Sequence, residues 1–221
     1  MSGEAGNVNQ ASVAAPEGAE LLGELHPLLA QLGCAEGLLS LSGAAALLQC
    51  PRVESRQSLA GFLRAYYDEI LLPEELPAIC RAYAHAAHNQ VMELVSLDRE
   101  VSRQARPQPL ARASRRVGQA QLKRLRPLRS ERVVQRYLNA VEQGRAQGWH
   151  TLVYGLTLAV YSLPVRQGLL NYTRQTLFGF IYAVARPLQL GEADCRNLLD
   201  ELCADLPKRL ETLLSEACPR G

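Results

Sequence analysis

The segment from Trp149 to Gly191, WHTLVYGLTLAVYSLPVRQGLLNYTRQTLFGFIYAVARPLQLG, limits the possible folds more than any other part of the chain, because very little of it can face water on every side. Leu152, Leu156, Ala159 and Leu163 are spaced as one stripe of a helix, and Val153, Thr157 and Val160 make the neighbouring stripe apolar too. A helix that is apolar nearly all round belongs inside a fold. The next segment repeats the pattern. Leu170, Thr173, Leu177, Ile181 and Val184 form one face and Leu169, Tyr172, Thr176, Phe180 and Ala183 another, with Arg166, Arg174 and Arg186 as its charges. Pro164 suits the first turn of this helix, where a missing N–H loses no partner, and Pro187 ends it. The spacing predicts two central helices joined by a tight turn, with the remaining helices packed around them.

The rest of the composition agrees with an all-helical chain. Of the 221 residues, 48% are hydrophobic but only 5% aromatic, so the apolar content is mostly Leu and Ala, which favour helix, and little is left to build sheet. A net charge of +2 does not by itself point to nucleic acid or to an anionic membrane. The six cysteines are scattered without a CxxC pair, which reads as reduced, mostly buried thiols of a cytosolic protein. The opening MSGEAGNVNQASVAAPEGAE lacks the basic and apolar regions of a secretion signal. The longest apolar run, Thr151 to Val165, is shorter than the roughly 20 residues of a membrane span. The expectation is a cytoplasmic protein with a disordered tail over 1–18 and one all-α globular domain of about ten helices over 19–217.

Several helices can be placed in order. Leu21 to Leu32 and Leu38 to Leu48 are short apolar stretches closed near Gly33 and Pro51. Leu59, Phe62, Leu63, Tyr66, Tyr67 and Ile70 mark a one-sided helix that Pro73 is expected to break, with Glu74 and Glu75 in the first turn of the next. The run from Pro73 to Val101 reads as a helical hairpin turning near Asn89, with Val91, Leu94, Val95, Asp98 and Val101 on one face of its second arm. Gly118 falls in mid-helix, where it costs about 1 kcal/mol relative to Ala, so a close contact with another backbone is expected there. Val133, Val134, Tyr137, Leu138 and Val141 form a further helix, and Leu198 to Leu214 one or two closing ones.

Motifs for chemistry are few. Arg103 to Arg136 carries eleven basic residues against Glu131 alone, which fits a solvated helix face, an acidic protein partner or nucleic acid, although aromatic residues that could stack on bases are missing before Tyr137. His85 and His88, with Cys80 one turn earlier, invite a metal reading, but no nearby ligand completes a site. His150 opens the buried segment and reads as either a hydrogen-bonded core residue or a functional one. No GxSxG, P-loop or paired carboxylates in an apolar setting are present, so no catalytic residue is assigned.

In series, LRAYYDEILLPEELPAICRAYAHAA, ELVSLDREV, RASRRVGQAQLKRL and HTLVYGLTLAVYSLPVRQGLLNYTRQTLFGFIYAVARPLQLGEADCRNLL resemble the UreF family of urease accessory proteins over about residues 55 to 205. The most specific parts are Ser114-Arg115-Arg116-x-Gly118 and His150-x3-Tyr154-Gly155, followed by Tyr172 and Pro187-Leu188-x-Leu190-Gly191. The resemblance implies a non-catalytic all-helical protein, commonly a homodimer, without a cofactor of its own. With a GTPase, UreG, and a scaffold, UreD or UreH, it would help deliver nickel to apo-urease and couple GTP hydrolysis to metal release. By position, Arg115, Arg116 and Gly118 would lie in the family's Arg-Arg-x-Gly helix, and His150, Tyr154, Gly155 and Tyr172 in its core and dimer or partner surface. The chain departs from the family near its start. Over Cys34 to Ala46, Gly37 and Ser42 match the usual signature and Gly43 is a further match, while Leu41 stands for its histidine and Ala46 for its glutamate. Glu192 stands where members usually have Gln. The alternative is a helical regulator or adaptor that binds an acidic partner or nucleic acid through the Arg103 to Arg136 face.

Overall fold

The structure, a computed structural model, describes residues 45–46, 48–104 and 108–217. Every regular element among them is a helix: α1 (Arg56–Tyr66), a π segment (Tyr67–Glu75), α2 (Leu76–Ala87), α3 (Val91–Arg103), α4 (Gln108–Arg124), α5 (Arg132–Glu142), α6 (His150–Val160), α7 (Val165–Ala185), α8 (Glu192–Cys203) and α9 (Leu206–Ala217). Of these, α1, the π segment and α2 run into one another without a break. The tail expected over 1–18, the helix over 21–32, and the stretch 38–48 apart from Ala45, Ala46 and Leu48 lie outside the described residues.

Local chemistry explains most boundaries. Ser55 and Ser58 cap α1 reciprocally: Ser58 N–H donates to Ser55 Oγ at 3.1 Å and Ser55 N–H to Ser58 Oγ at 3.0 Å. Asn89, at φ 55°, turns the chain between α2 and α3, and Arg81 then pins the two arms together by donating to both carboxylate oxygens of Glu100, at 2.6 and 2.8 Å. Ser162, at φ 54°, makes the tight turn between α6 and α7, and α7 starts directly after Pro164.

Pro73 does not break the first helix. The chain instead widens into π geometry over Tyr67–Glu75, with the Leu76 N–H bonded to the Leu71 carbonyl, and continues into α2. In an α-helix the Pro73 ring would press on the carbonyl four residues back and leave it without a donor; reaching one residue further relieves both problems. Glu75 therefore does not sit in an exposed first turn. It is buried, and its Oε2 accepts a hydrogen bond from the Tyr172 hydroxyl at 3.2 Å.

Two hydrophobic clusters fill the interior. The first gathers Leu59, Phe62 and Tyr66 of α1 with Phe180 of α7, Leu202 of α8 and Leu210 of α9; the Phe180 ring meets those of Phe62 and Tyr66 edge-on at 5.4 and 4.8 Å. The second gathers Leu94 and Val95 of α3, Leu122 of α4, and Val134 and Tyr137 of α5. Both α2 and α6 belong to the two at once. Ile79 and Tyr154 point into the first cluster, and Ala82, Leu152 and Leu156 into the second. Helix α6 is buried along nearly its whole length, as its sequence requires. Both α6 and α7 contribute to the core, but the helix lying along α6 is α2, while α7 rests chiefly on α8, with smaller contacts to α9, α2 and α6.

Two glycines make this packing possible. A Cβ on Gly155 would stand 2.5 Å from the Ile79 carbonyl oxygen and 2.9 Å from the Ala82 Cβ, so α6 touches the backbone of α2 there. A Cβ on Gly118 would stand 2.1 Å from the Gly148 carbonyl oxygen and 2.6 Å from the His150 nitrogen, which is the close backbone contact expected from a glycine in mid-helix. By contrast, nothing lies within 4 Å of a Cβ on Gly61, on the exposed side of α1. Gly155→Ala and Gly118→Ala are each expected to destabilise the fold by about 2 kcal/mol or more, and Gly61→Ala to stabilise it by about 0.5–1 kcal/mol. Urea unfolding followed by helical circular dichroism checks all three; equal stabilities for the first two variants and wild type would mean that the contacts are not tight.

Candidate functional site

The residues singled out by sequence converge on one place, the junction where the connection 143–149 enters α6 beneath α4. Asp98, on the apolar face of α3, is fully buried and accepts three hydrogen bonds there: from the Tyr137 hydroxyl at 2.7 Å, the Gln147 N–H at 2.6 Å and the Gly148 N–H at 2.9 Å. A buried carboxylate is tolerated only when its oxygens are satisfied, and here donors from two segments supply that need. Burial first, and Asp98 second, push the Tyr137 phenol well above its ordinary value, so it remains a donor. Ser102, one turn along α3, accepts from the Trp149 indole N–H at 2.9 Å and donates to the Asp98 carbonyl at 2.7 Å. Gly148, at φ 70°, takes a conformation that a side chain would strain.

Helix α4 closes over this loop. Gln119 Nε2 donates to the Gln147 carbonyl at 2.8 Å, and the Ser114 hydroxyl accepts from the His150 N–H at 3.3 Å, at the start of a helix that has no side-chain cap from Trp149 itself. The Arg115 guanidinium lies 5.5 Å from the centre of the Trp149 ring and donates to Gln147 Oε1 at 3.2 Å, so its orientation is set by the loop beneath. Arg116, the next residue, is exposed. Ser114, Arg115 and Gly118 are thus grouped in sequence because all three contact the same loop.

Below the junction sits a buried ring cluster. His150 is 5.9 Å from Tyr154 and 5.8 Å from Tyr172, and the two tyrosine rings are 5.1 Å apart. Tyr154 donates to the Gly168 carbonyl at 3.0 Å, which ties α6 to α7, while Tyr172 donates to Glu75 and ties α7 to the π segment. His150 Nδ1 lies 3.0 Å from Gln121 Oε1; an amide oxygen accepts, so Nδ1 carries the proton. Burial alone lowers the imidazole to about 4, and the ring is neutral at neutral pH.

His150, Tyr154, Gly155 and Tyr172 are all buried within the chain, where they fix how α6 meets α2, α4 and α7. Gly118 is buried for the same reason. Of the seven, Arg115 is half-buried and Arg116 exposed, and only these two face outward. The metal reading of His85 and His88 also finds another explanation. His85 Nδ1 meets Gln90 Oε1 at 2.9 Å, His88 Nδ1 meets the Ala84 carbonyl at 2.8 Å, and both close the end of α2 while Cys80 is buried. Among the described residues no three His, Cys, Asp or Glu side chains are gathered as a metal site, and Cys50, Cys80, Cys195 and Cys203 are unbridged. The sequence pattern gives Asp98 only as one position on a helix face. Its signal was a single carboxylate on an otherwise apolar stripe.

Two outcomes follow from this geometry. Asp98→Asn turns donors toward donors and is expected to cost about 3 kcal/mol or more, read by urea unfolding. For His150, a folded value near 4 against an ordinary value of about 6.5 means that the unfolded chain binds more protons between these limits. Stability should therefore fall as pH drops through that window, by about 3 kcal/mol in all. His150→Gln should remove that part of the pH slope, and an unchanged slope would show that His150 is not the group responsible.

The same residues lie within a recognised family. No curated protein matches the sequence. The family model for UreF matches residues 53–203, a span from just before α1 to the end of α8 that contains the whole junction. The chain therefore belongs to the UreF family of urease accessory proteins.

Proposed function

We propose that this chain is a non-catalytic scaffold in urease assembly. It binds a UreG-type GTPase and a UreD/UreH-type scaffold, works as a homodimer in the cytoplasm, and helps pass nickel, as cargo, to apo-urease while GTP is hydrolysed. The family match supports this reading in its general form. The observation that carries it to particular residues is the construction around Asp98. A set of buried hydrogen bonds, an indole and a glycine contact are arranged to hold α4 in one position, and what α4 then turns outward is basic: Arg112, Arg116, Lys123 and Arg124 are exposed. Cations on a rigid helix steer and orient an acidic protein surface.

The alternative adaptor reading shares the acidic partner and differs on nucleic acid. Among the described residues the exposed large hydrophobics are Met92, Tyr161 and Tyr182, none of them on α4 or α5, so that face has no ring on which a base could stack. Among the described residues no helix is long and apolar enough to cross a membrane.

The test separates the two adjacent arginines. Arg116→Glu is expected to weaken co-purification with the GTPase and scaffold by about tenfold at unchanged thermal stability, and to lower urease activation in cells lacking the wild-type gene. Arg115→Glu should lower both binding and melting temperature, because it also loses the Trp149 stack. Full activation by a strain lacking this chain altogether would refute the proposal.

A further inference from the structure

A second surface lies away from α4, between the start of α3 and α5. There, a trough of about 170 Å³ has Val91, Met92, Val95 and Ala140 as its apolar part and Arg136 and Arg145 as its basic part. Met92 is 69% exposed, the most open large hydrophobic side chain among the described residues. Arg145 is oriented by a hydrogen bond from its Nε to Gln143 Oε1 at 2.9 Å, yet among the described residues neither Arg145 nor Arg136 has a carboxylate partner. The contrast on α5 itself is informative: Glu142 is already engaged by Arg126, and no carboxylate lines the trough.

An apolar floor with two uncompensated guanidinium groups selects its occupant. A phosphate backbone would satisfy the arginines but leave Met92 and Val91 against charge. A purely apolar segment would bury the floor and strand the arginines. An amphipathic helix with carboxylates beside an aliphatic or aromatic side chain satisfies both, and Met is the side chain that best reshapes itself around such an insert. We propose that this trough is the docking site for an acidic amphipathic helix of a protein partner. The proposal rests on the assembly reading above, which makes that partner a component of the urease-assembly complex.

Methyl-labelled methionine reports on the trough directly, since the chain has only two methionines. The full chain is titrated with the purified UreG-type GTPase and, separately, with the purified UreD/UreH-type scaffold. Docking is expected to shift the Met92 methyl signal with one of them. Met92→Asp, and separately Arg136→Glu with Arg145→Glu, should weaken that complex by about tenfold or more. Because all three side chains are exposed, helical content and melting temperature should not change. A complex that forms with the Met92 signal unmoved, or with the variants binding within about twofold of wild type, overturns the trough as a docking site and leaves the assembly reading standing. Absence of any complex with either protein overturns both. A Met92 signal that moves when residues 1–44 are deleted from the isolated chain assigns the trough to the chain's own start and likewise overturns the proposal.

Discussion

A single buried carboxylate organises the centre of this protein. Asp98 has no cation beside it among the described residues; it is held by a phenol and two backbone N–H groups, all fixed by the surrounding chain. Because both oxygens are committed, the connection into α6 can take essentially one path. That path brings the Gly148 carbonyl against Gly118, puts Trp149 under Arg115 and offers the first N–H of α6 to Ser114. Remove the carboxylate and three contacts between α4 and the rest of the fold lose their common footing. The apolar surface buried around it supplies most of the stability, and the carboxylate supplies the register.

The two clusters explain why small residues are found where they are. Since α2 and α6 form a wall between two clusters, their mutual face can hold little more than backbone where Gly155 meets the Ile79 carbonyl and the Ala82 Cβ. Larger side chains on the same helices, Ile79 and Tyr154 on one side and Leu152 and Leu156 on the other, are directed away from the wall into the clusters. Dispersion contacts across so short a separation are dense, which makes the wall stiff.

Much of this was legible beforehand. An all-α fold, the buried character of α6, the hairpin at Asn89, the turn before Pro164 and the close contact at Gly118 each followed from a local pattern, because each depends on residues near one another in the chain. Family membership followed from an ordered series of such patterns. What could not be read depended on distant partners. That Asp98 would bond to Gln147 and Gly148, or Glu75 to Tyr172, is a statement about residues 49, 50 and 97 positions apart. Periodicity marks Asp98 as inward-facing but does not name what it meets. The same limit holds for His150, Tyr154 and Tyr172: their order is legible in the sequence, and the ring contacts they make with one another are not. Pro73 failed for a different reason, because helix-breaking assumes α geometry and the chain had another available.

That alternative geometry has a consequence for how one rod can serve two cores. Each residue accommodated by the wider π turns rotates everything downstream about the helix axis, compared with an uninterrupted α-helix. Leu59, Phe62 and Tyr66 before the segment all look into one cluster, whereas α2 beyond it divides its side chains between that cluster and the other. The widened turns thus act as a phase adjuster built into a continuous rod. Proline at position 73, which forbids the tighter winding, keeps the adjustment from being lost.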